Sequence, residues 1–266
     1  MQQPQIMGIV NITPDSFSDG GLFNDPHVAI NRALLMIEQG ADWVDIGGES
    51  TRPGATHVPV DMESMRVIPA VREIIAANAN AKISVDTYKS IVARQALQSG
   101  ARMINDVTAG IYDPTIFDVA AEHKAPIILM HMLGDPQTMQ NNPQYDDVVQ
   151  DVRQYLEQRV DAARAAGVST IYVDPGIGFG KTLDHNLALL RNLDAFADLS
   201  DGIVLGISRK RFLGTITGIE DPAQRDVATA LMHALLWQSR VHMIRVHDVP
   251  MHVQLRSLAT LVMTND

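Results

Sequence analysis

The sequence has 266 residues and no cysteine, and that absence removes several kinds of chemistry at once. Without thiols the chain forms no disulfide, uses no thiolate nucleophile and builds no cysteine-ligated metal site. No apolar run approaches the roughly 18 residues that a transmembrane helix needs. The first residues, MQQPQIMGIV, also lack the pattern of a secretion signal. We therefore expect a soluble, cytoplasmic, globular protein that contacts no membrane.

Positive charge is also scarce. The chain has 21 Lys and Arg residues against 31 Asp and Glu residues, which leaves a formal net charge of −10. This balance disfavours nucleic-acid binding over a broad surface, because the phosphate backbone would be repelled. A few cations focused in a cleft remain compatible with it. We predict small-molecule substrates and no nucleic-acid partner.

The sequence does contain a regular alternation of short apolar segments and longer amphipathic segments. Eight segments rich in Val and Ile are typical of strands buried on both faces of a parallel sheet, and each precedes a segment with helical spacing. These segments are IMGIVNI, WVDIG, KISVD, RMINDV, PIILMHM, TIYVD, GIVLGI and HMIRV. Eight such pairs in roughly 250 residues predict an α/β fold, a closed (β/α)8 TIM barrel, as one domain over residues 1–266. A doubly wound open sheet is the alternative.

Each predicted strand ends in polar or charged residues, and in a TIM barrel the carboxyl ends of the strands carry the active site. From the first strand to the eighth they are Asn11 and Thr13; Asp45, Glu49, Thr51 and Arg52; Asp86 and Thr87; Asn105 and Asp106; His131; Asp174; Ser208, Arg209 and Lys210; Arg245 and His247. Any one of them could instead cap a helix or form a turn. Capping does not explain why all eight strands end in this way.

These polar ends fall into two chemical groups. Asp86, Asn105 and Asp174 suit the edge of a nitrogen heterocycle such as a 2-amino-pyrimidinone, because a carboxylate accepts two parallel N–H bonds. Cations follow strands two, seven and eight, and the loops after strands seven and eight are where this barrel commonly binds phosphate. They are Arg52, Arg209, Lys210, Arg211, Arg245 and His247. The pattern predicts that one side of the barrel mouth binds a ring and the other binds an anion.

Two segments resemble other kinds of site. PGIGFGKT, from Pro175 to Thr182, is similar to a phosphate-binding Walker loop, but Pro175 stands where that pattern requires glycine. We interpret its glycines as allowing the backbone to approach a planar ligand beside Phe179. His131 has no second ligand at strand or helix spacing, which disfavours a transition metal held by the protein alone. A magnesium ion carried by a pyrophosphate needs only one or two protein oxygens, and Asn11 could supply one.

Several segments together resemble the dihydropteroate synthase family, in order, from Ile6 to Val249. They are GIVNITPDSFSDGG, DIGGESTRPGA, SVDTYK, INDV, LMHM, DPGIGFGK, GISRKRFLG and IRVHDV. The resemblance implies a pterin-binding TIM barrel that acts in folate biosynthesis. It implies a transferase that condenses 6-hydroxymethyl-7,8-dihydropterin pyrophosphate with 4-aminobenzoate to give 7,8-dihydropteroate and pyrophosphate. It also implies Mg2+, a homodimer and an enzyme of the kind that sulfonamides target.

The resemblance further implies roles for the matching positions. The pterin diphosphate would contact Thr51, Asp86, Asn105, Met130, Asp174, Phe179, Lys210, Arg245, Val246 and His247. The 4-aminobenzoate would contact Phe17, Thr51, Arg52, Pro53, Ser208 and Lys210. Asn11 would bind the Mg2+ ion. The catalytic residues would be Asp86, Lys210, Arg245 and His247.

Two other functions share parts of this pattern. A pterin-binding methyltransferase domain, which passes a methyl group from methyltetrahydrofolate to a corrinoid protein, would keep the ring-binding Asp and Asn residues. It needs no cations for a diphosphate, so the segments SRKR and IRVH disfavour it. A non-catalytic paralogue that binds pterins or a partner protein should have lost some strand-end groups, and none of the positions expected from the family is missing.

One helical segment, VATALMHALLWQS from Val227 to Ser239, is apolar nearly all round. A helix that only covers a barrel needs one apolar face. The segment therefore predicts part of a subunit interface, with a deeply buried helix as the alternative.

Overall fold

Eight strands alternate with helices along the chain. The computed structural model describes residues 3–13, 26–51, 54–135 and 137–263. The strands are β1 (Gln5–Asn11), β2 (Trp43–Gly47), β3 (Ile83–Asp86), β4 (Met103–Asp106), β5 (Ile127–Met130), β6 (Ile171–Asp174), β7 (Gly202–Leu205) and β8 (Val241–Val246). The α-helices within the described ranges are α1 (Pro26–Glu38), α2 (Val60–Ala77), α3 (Ser90–Gln98), α4 (Ile116–Glu122), α5 (Val148–Ala165), α6 (Leu183–Arg191), α7 (Arg211–Thr217), α8 (Asp226–Leu235) and α9 (Val249–Met263).

The strands form a closed barrel in the order β1 to β8. Neighbouring strands pair in parallel, and β8 pairs with β1 to complete the ring. The prediction of a TIM barrel is confirmed, and the alternative of an open doubly wound sheet is wrong. In the part of the chain that the structure describes, no helix is both long enough and apolar enough to cross a membrane.

One helix was not predicted. Helix α7 lies between β7 and α8, where the sequence analysis predicted no helix. It forms because Phe212 and Leu213 are buried against the main core. Gly218 ends the helix in the left-handed conformation, with φ of 75°, which glycine adopts without a Cβ penalty. This seven-residue helix is too short to show a clear 3.6-residue period in the sequence.

Two hydrophobic clusters lie on opposite faces of the strands. The larger cluster joins the outer faces of the strands to the surrounding helices. The smaller one contains residues of five strands and fills the interior of the barrel near the amino ends of the strands. Its buried members are Met7, Met103, Ile128, Val204 and Met243. Because side chains alternate along a strand, the residues two and four positions further along face the same interior. The interior therefore changes from apolar to polar toward the carboxyl ends.

The pairing register brings polar residues of several strands to one level. Asn11 pairs with Gly47, Gly47 pairs with Asp86, and Asp86 pairs with Asn105. On the other side of the barrel, Met130 pairs with Asp174. A shift of one residue would turn these side chains to the opposite face of the sheet. The apolar outer face of each strand thus determines which polar residues meet inside the barrel.

The apolar floor of the barrel should be sensitive to loss of volume. We expect Ile128→Ala to lower the free energy of unfolding by about 2–5 kcal/mol, because it leaves a cavity in a fully buried cluster. Urea unfolding of the purified variants measures this. Met65→Ala is the control, because Met65 is 76% exposed on α2 and its truncation should change the free energy by at most about 0.5 kcal/mol. Equal losses in both variants would contradict the layered interior described above.

Candidate active site

An arginine bridges two carboxylates inside the barrel. Arg245 of β8 donates through Nη2 to Asp45 of β2, and through the same nitrogen to Oδ2 of Asp86 on β3, at 2.9 Å. Asn105 of β4 donates from Nδ2 to Oδ2 of Asp45, at 3.0 Å. Within the described residues, Asp45 Oδ1, Arg245 Nε and Ser84 Oγ are buried without a hydrogen-bond partner. The cluster therefore holds polar atoms that water or a ligand could satisfy.

Asp174 and Lys210 reach the same space from the other side of the barrel. A Cβ added to Gly206 would lie 3.5 Å from Asp174 Oδ2, 3.8 Å from Arg245 Nη1 and 4.0 Å from Lys210 Nζ. These three groups surround one point, and the missing side chain of Gly206 leaves that point open. Asp86, Asn105, Asp174, Lys210 and Arg245, which the sequence analysis proposed as site residues, therefore meet at one rim.

Burial moves the pKa values of the ionisable groups in this cluster toward neutral pH. It raises the pKa of Asp86 to about 7, and the nearby carboxylate of Asp45 adds to the effect, which Arg245 offsets only in part. Burial also raises the pKa of Asp174. It lowers the pKa of Lys210 to about 8. Perturbed carboxylates and a perturbed lysine at the mouth of a barrel are typical of a ligand-binding or catalytic site.

The glycine-rich loop after β6 packs around the Lys210 side chain. The Lys210 ammonium lies 4.4 Å from the centroid of the Phe179 ring and donates to the carbonyl of Ile177. A Cβ on Gly178 would lie 3.2 Å from Cδ of Lys210. Phe179 and Lys210 thus form one wall of the opening. That Phe179 borders a flat ligand stays a prediction.

In this loop the backbone lies close to another part of the protein. Gly176 has φ of 70°, and a Cβ there would lie 1.8 Å from the carbonyl oxygen of His131. Only glycine fits so near the end of β5. The sequence analysis assigned these glycines to the approach of a ligand. At Gly176 the structure shows contact with the neighbouring strand end instead.

A buried lysine beside His131 was missed in the sequence. Lys181 Nζ lies 2.8 Å from His131 Nδ1 and donates to the carbonyl of Phe179 at 3.0 Å. Burial lowers the pKa of His131 to about 2 and that of Lys181 well below its ordinary value. The hydrogen bond from Lys181 to the carbonyl of Phe179 holds the backbone of this loop. Lys181 has no sequence neighbour that would have pointed to His131.

Two further predicted residues are joined near the ends of β7 and β8. Ser208 Oγ lies 2.9 Å from His247 Nδ1 and accepts a hydrogen bond from the His247 backbone N–H at 3.1 Å. Thr51 follows β2 and borders a cavity of about 610 Å³ between the connections that follow β2, β3, β4 and β5. Met130 is buried at the end of β5, directly beside Asp174 in the pairing register.

Some predicted residues lie elsewhere. Phe17, Arg52 and Pro53 lie outside the described residues. The side chain of Val246 is fully buried in the core around the barrel, because it alternates with the inward-facing Arg245. Asp106 forms a turn, as its carboxylate accepts from the backbone N–H groups of Thr108 and Gly110.

Arg209 does not join the cations at the mouth. Its guanidinium makes a two-point ion pair with Asp226 at the start of α8, with distances of 2.7 and 2.6 Å. Its backbone has φ of 60°, a conformation uncommon for residues other than glycine. The pair turns the side chain toward α8 and away from Lys210.

The side chain of Asn11 stands at the same rim and fits the requirements of a shared magnesium site. A Cβ on Gly47 would lie 3.5 Å from Asn11 Oδ1, so the glycine leaves space beside this oxygen. Over the described ranges, no group of three or more His, Asp or Glu side chains could hold a metal ion. A magnesium ion at Asn11 would therefore take most of its ligands from a bound diphosphate and from water.

Known proteins are similar to this chain in architecture and in sequence. The family model described as pterin binding enzyme matches residues 7–247. A dihydropteroate synthase of Synechocystis is 45% identical over 256 residues, which cover 96% of this chain and 88% of that protein. The structure of Xanthomonas albilineans dihydropteroate synthase with 4-aminobenzoic acid has a TM-score of 0.92 and 43% identity, covering 100% of this chain and 95% of that one.

A second structure of the Xanthomonas albilineans enzyme, in complex with 7,8-dihydropteroate, has a TM-score of 0.89 and 40% identity over 100% of this chain and 95% of that one. The family model, the curated relative and these structures agree along nearly the full length of the barrel. They agree also with the segments that carry the resemblance in the sequence. The chain therefore belongs to the dihydropteroate synthase family of pterin-binding enzymes.

Proposed function

We propose that this chain is a dihydropteroate synthase, a transferase of folate biosynthesis that joins 6-hydroxymethyl-7,8-dihydropterin pyrophosphate to 4-aminobenzoate. The observation that carries the proposal is the convergence of Asp86, Asn105, Asp174, Lys210 and Arg245 around one opening at the carboxyl rim. Neither the methyltransferase nor the non-catalytic alternative accounts for the cations that stand beside this ring-binding set.

The carboxylates and the amide bind the pterin ring. A pterin carries an amino group and a ring N–H along one edge, and a carboxylate accepts both in parallel. Asp174 is positioned for this by the backbone N–H of Gly176, which donates to its Oδ1 at 2.7 Å. Asp86 and Asn105 extend the polar surface around the ring. Lys210 donates a hydrogen bond toward the carbonyl of the pterin ring. Phe179 and Met130 border the two faces of that ring.

Arg245, His247 and Thr51 hold the diphosphate. Burial alone would lower the pKa of Arg245, but Asp45 and Asp86 raise it overall, so the guanidinium stays charged. It offers a planar fork of N–H donors that matches phosphate oxygens. Ser208 orients the His247 ring. Asn11 would hold a Mg2+ ion, and that ion would supply positive charge to neutralise the leaving group.

The charge of the cluster favours a cationic ring. Asp45, Asp86 and Asp174 outnumber Lys210 and Arg245 when all are ionised. The C–O bond between the pterin methylene and the diphosphate breaks and leaves the electron pair on the diphosphate, so the ring and methylene carry positive charge. Fixed carboxylates stabilise that charge. The aromatic amine then forms the C–N bond and releases its extra proton to solvent.

The aminobenzoate binds beside Lys210 and Ser208. Both residues lie at the rim between β7 and β8, next to the place where the diphosphate leaves. The contacts from Thr51, Phe17, Arg52 and Pro53 stay predictions. So do the cytoplasmic location and the single domain over residues 1–266.

A homodimer is part of the proposal. Helix α8 buries Ala228, Thr229 and His233 on one face. Its opposite face exposes Val227, Leu231 and Leu235 at helical spacing. The neighbouring α9 exposes further apolar residues, Leu258, Leu261 and Val262. The alternative of a deeply buried α8 is wrong, because Leu235 is 81% exposed. An apolar surface formed by two adjacent helices is typical of a subunit interface.

A coupled assay tests the activity. We expect dihydropteroate to form from the pterin pyrophosphate and 4-aminobenzoate with Mg2+, and to fall by at least about tenfold with EDTA. Asp86→Ala should reduce kcat/KM by about a hundredfold or more, because it removes a carboxylate that stabilises charge in the transition state. The circular dichroism spectrum of this variant should match that of the wild type. An active Asp86→Ala variant would refute the role of Asp86, and no product from the wild type would refute the function.

The affinity for the pterin should depend on pH, because the pKa values of Asp86 and Lys210 are shifted toward neutral pH. Binding needs ionised Asp86, whose pKa is about 7, so we expect Kd for 6-hydroxymethyl-7,8-dihydropterin to rise about tenfold per pH unit below that value. Above about pH 8 the charge on Lys210 is lost and Kd should rise again. Isothermal titration calorimetry between pH 5.5 and 9, values chosen to span both groups by roughly one unit, measures the profile.

Two variants distinguish the rise in Kd at acidic pH from the rise in Kd at alkaline pH. Asp86→Asn should bind more weakly with a Kd that is flat below about pH 7. Lys210→Met should lose the alkaline rise. A wild-type Kd that does not change across the range would contradict both assignments.

The apolar surface of α8 and α9 should hold the dimer together. We expect Leu235→Asp to convert the protein to a monomer at micromolar concentration, because a carboxylate cannot be buried there without a partner. Sedimentation velocity gives the mass. Met65→Asp, an equally exposed position on α2, should sediment as the wild type does. If the wild type sediments as a monomer, the interface does not exist.

A further inference from the structure

A single hydroxyl group is tied to both ends of the short segment that carries Thr51. Tyr88 follows β3 and donates from its OH to Glu49 Oε1 at 2.6 Å. The Tyr88 hydroxyl oxygen also lies 2.8 Å from His57 Nδ1. Glu49 comes just after β2 and His57 just before α2, with Thr51 between them. Since the hydroxyl hydrogen is directed at the carboxylate, its oxygen accepts from the Nδ1–H of His57.

The carboxylate of Glu49 needs this donor. Glu49 and Glu63 share one ammonium, that of Lys89, which donates to both. All three side chains are largely removed from water, so two negative charges face one positive charge in a buried cluster. A buried carboxylate in excess must be stabilised by further hydrogen bonds. Burial raises the pKa of Tyr88, and the hydrogen bond to Glu49 raises it further, which keeps the hydroxyl protonated and able to donate.

Contacts of the Tyr88 ring fix the position of its hydroxyl group. The Lys89 ammonium lies 4.6 Å from the centroid of the Tyr88 ring. The Tyr112 ring meets the Tyr88 ring edge to face at 4.5 Å, and the His57 ring stacks on Tyr88 at 6.2 Å. Favourable edge-to-face and stacked contacts of this kind stabilise the ring, and with it the hydroxyl oxygen, in one position. Glu49, Thr51, His57, Tyr88 and Tyr112 line the same cavity beside the barrel mouth.

We propose that Tyr88 is a positioning residue for the transfer reaction, whose hydroxyl holds Glu49 and His57 and thereby places Thr51 beside the bound diphosphate. The inference rests on the proposed function, because Thr51 is proposed to contact the diphosphate there. Tyr88 itself touches neither substrate. Its effect reaches the reaction through the position of the segment, so it should change the binding of the diphosphate group and leave the ring-binding residues unaffected.

The Tyr88→Phe variant removes this hydroxyl and keeps the ring. We expect KM for the pterin pyrophosphate to rise roughly tenfold, the effect of losing one hydrogen bond to a charged group. The value of kcat should stay within about twofold. The Kd of 6-hydroxymethyl-7,8-dihydropterin, which lacks the diphosphate, should also stay within about twofold, because Asp86, Asn105 and Asp174 are unchanged.

Tyr112→Phe is the matched control. It removes the same group from the same aromatic cluster, but the Tyr112 hydroxyl lies 3.4 Å from His57 Nε2 and makes no contact with Glu49. We expect both its KM and its kcat to stay within about twofold of the wild type. A thermal melt of each variant shows whether the fold is retained.

Three outcomes would overturn the proposal. An unchanged KM in Tyr88→Phe would show that the hydroxyl does not act on the diphosphate site. Equal weakening for the pterin with and without diphosphate would make Tyr88 a general structural residue. A wild type without turnover would refute the proposed function together with this inference, whereas an active wild type with an unaffected variant refutes the inference alone.

Discussion

The ion pair that Arg245 makes with Asp45 and Asp86 is the interaction on which the rest of the site depends. Three strands contribute to it, and it lies directly above the apolar floor of the barrel. Burying two carboxylates costs free energy unless a cation is shared between them. Burial raises the pKa of Asp86 to about 7, the carboxylate of Asp45 adds to the rise, and Arg245 offsets only part of it. This arrangement leaves a carboxylate ready to accept the N–H groups of a ring and to stabilise positive charge on it.

Around this centre, buried charges stand at the strand ends, and side-chain donors hold the connections that follow the strands. Asp86, Asn105 and Asp174 sit at strand ends whose positions the barrel register determines. The connection after β2 is held by the Tyr88 hydroxyl and the Lys89 ammonium, which both donate to Glu49. The connection after β6 is held by Lys181, which donates to the carbonyl of Phe179.

Much of the fold and part of the site could be predicted from the sequence. Eight apolar segments at near-regular spacing leave little freedom, because only a closed barrel buries both faces of eight consecutive parallel strands without an edge. Their places at the carboxyl ends of predicted strands identified Asp86, Asn105 and Asp174 as candidate site residues at one rim. The short helix α7 escaped, since seven residues carry too little periodicity.

The amino-acid order by itself determined the number of strands, the rim at which polar residues collect and the membership in a family. It did not determine which charges pair. Arg245 and Asp45 are 200 residues apart, and Arg209, a near neighbour of Lys210, turns to Asp226 instead of the mouth. The partners of Lys181 and Tyr88 could not be predicted from the sequence either. Period and alternation are local properties of a chain, whereas the choice of an ionic partner depends on which side chains the closed barrel brings within a few ångströms of one another, and only the tertiary structure decides that.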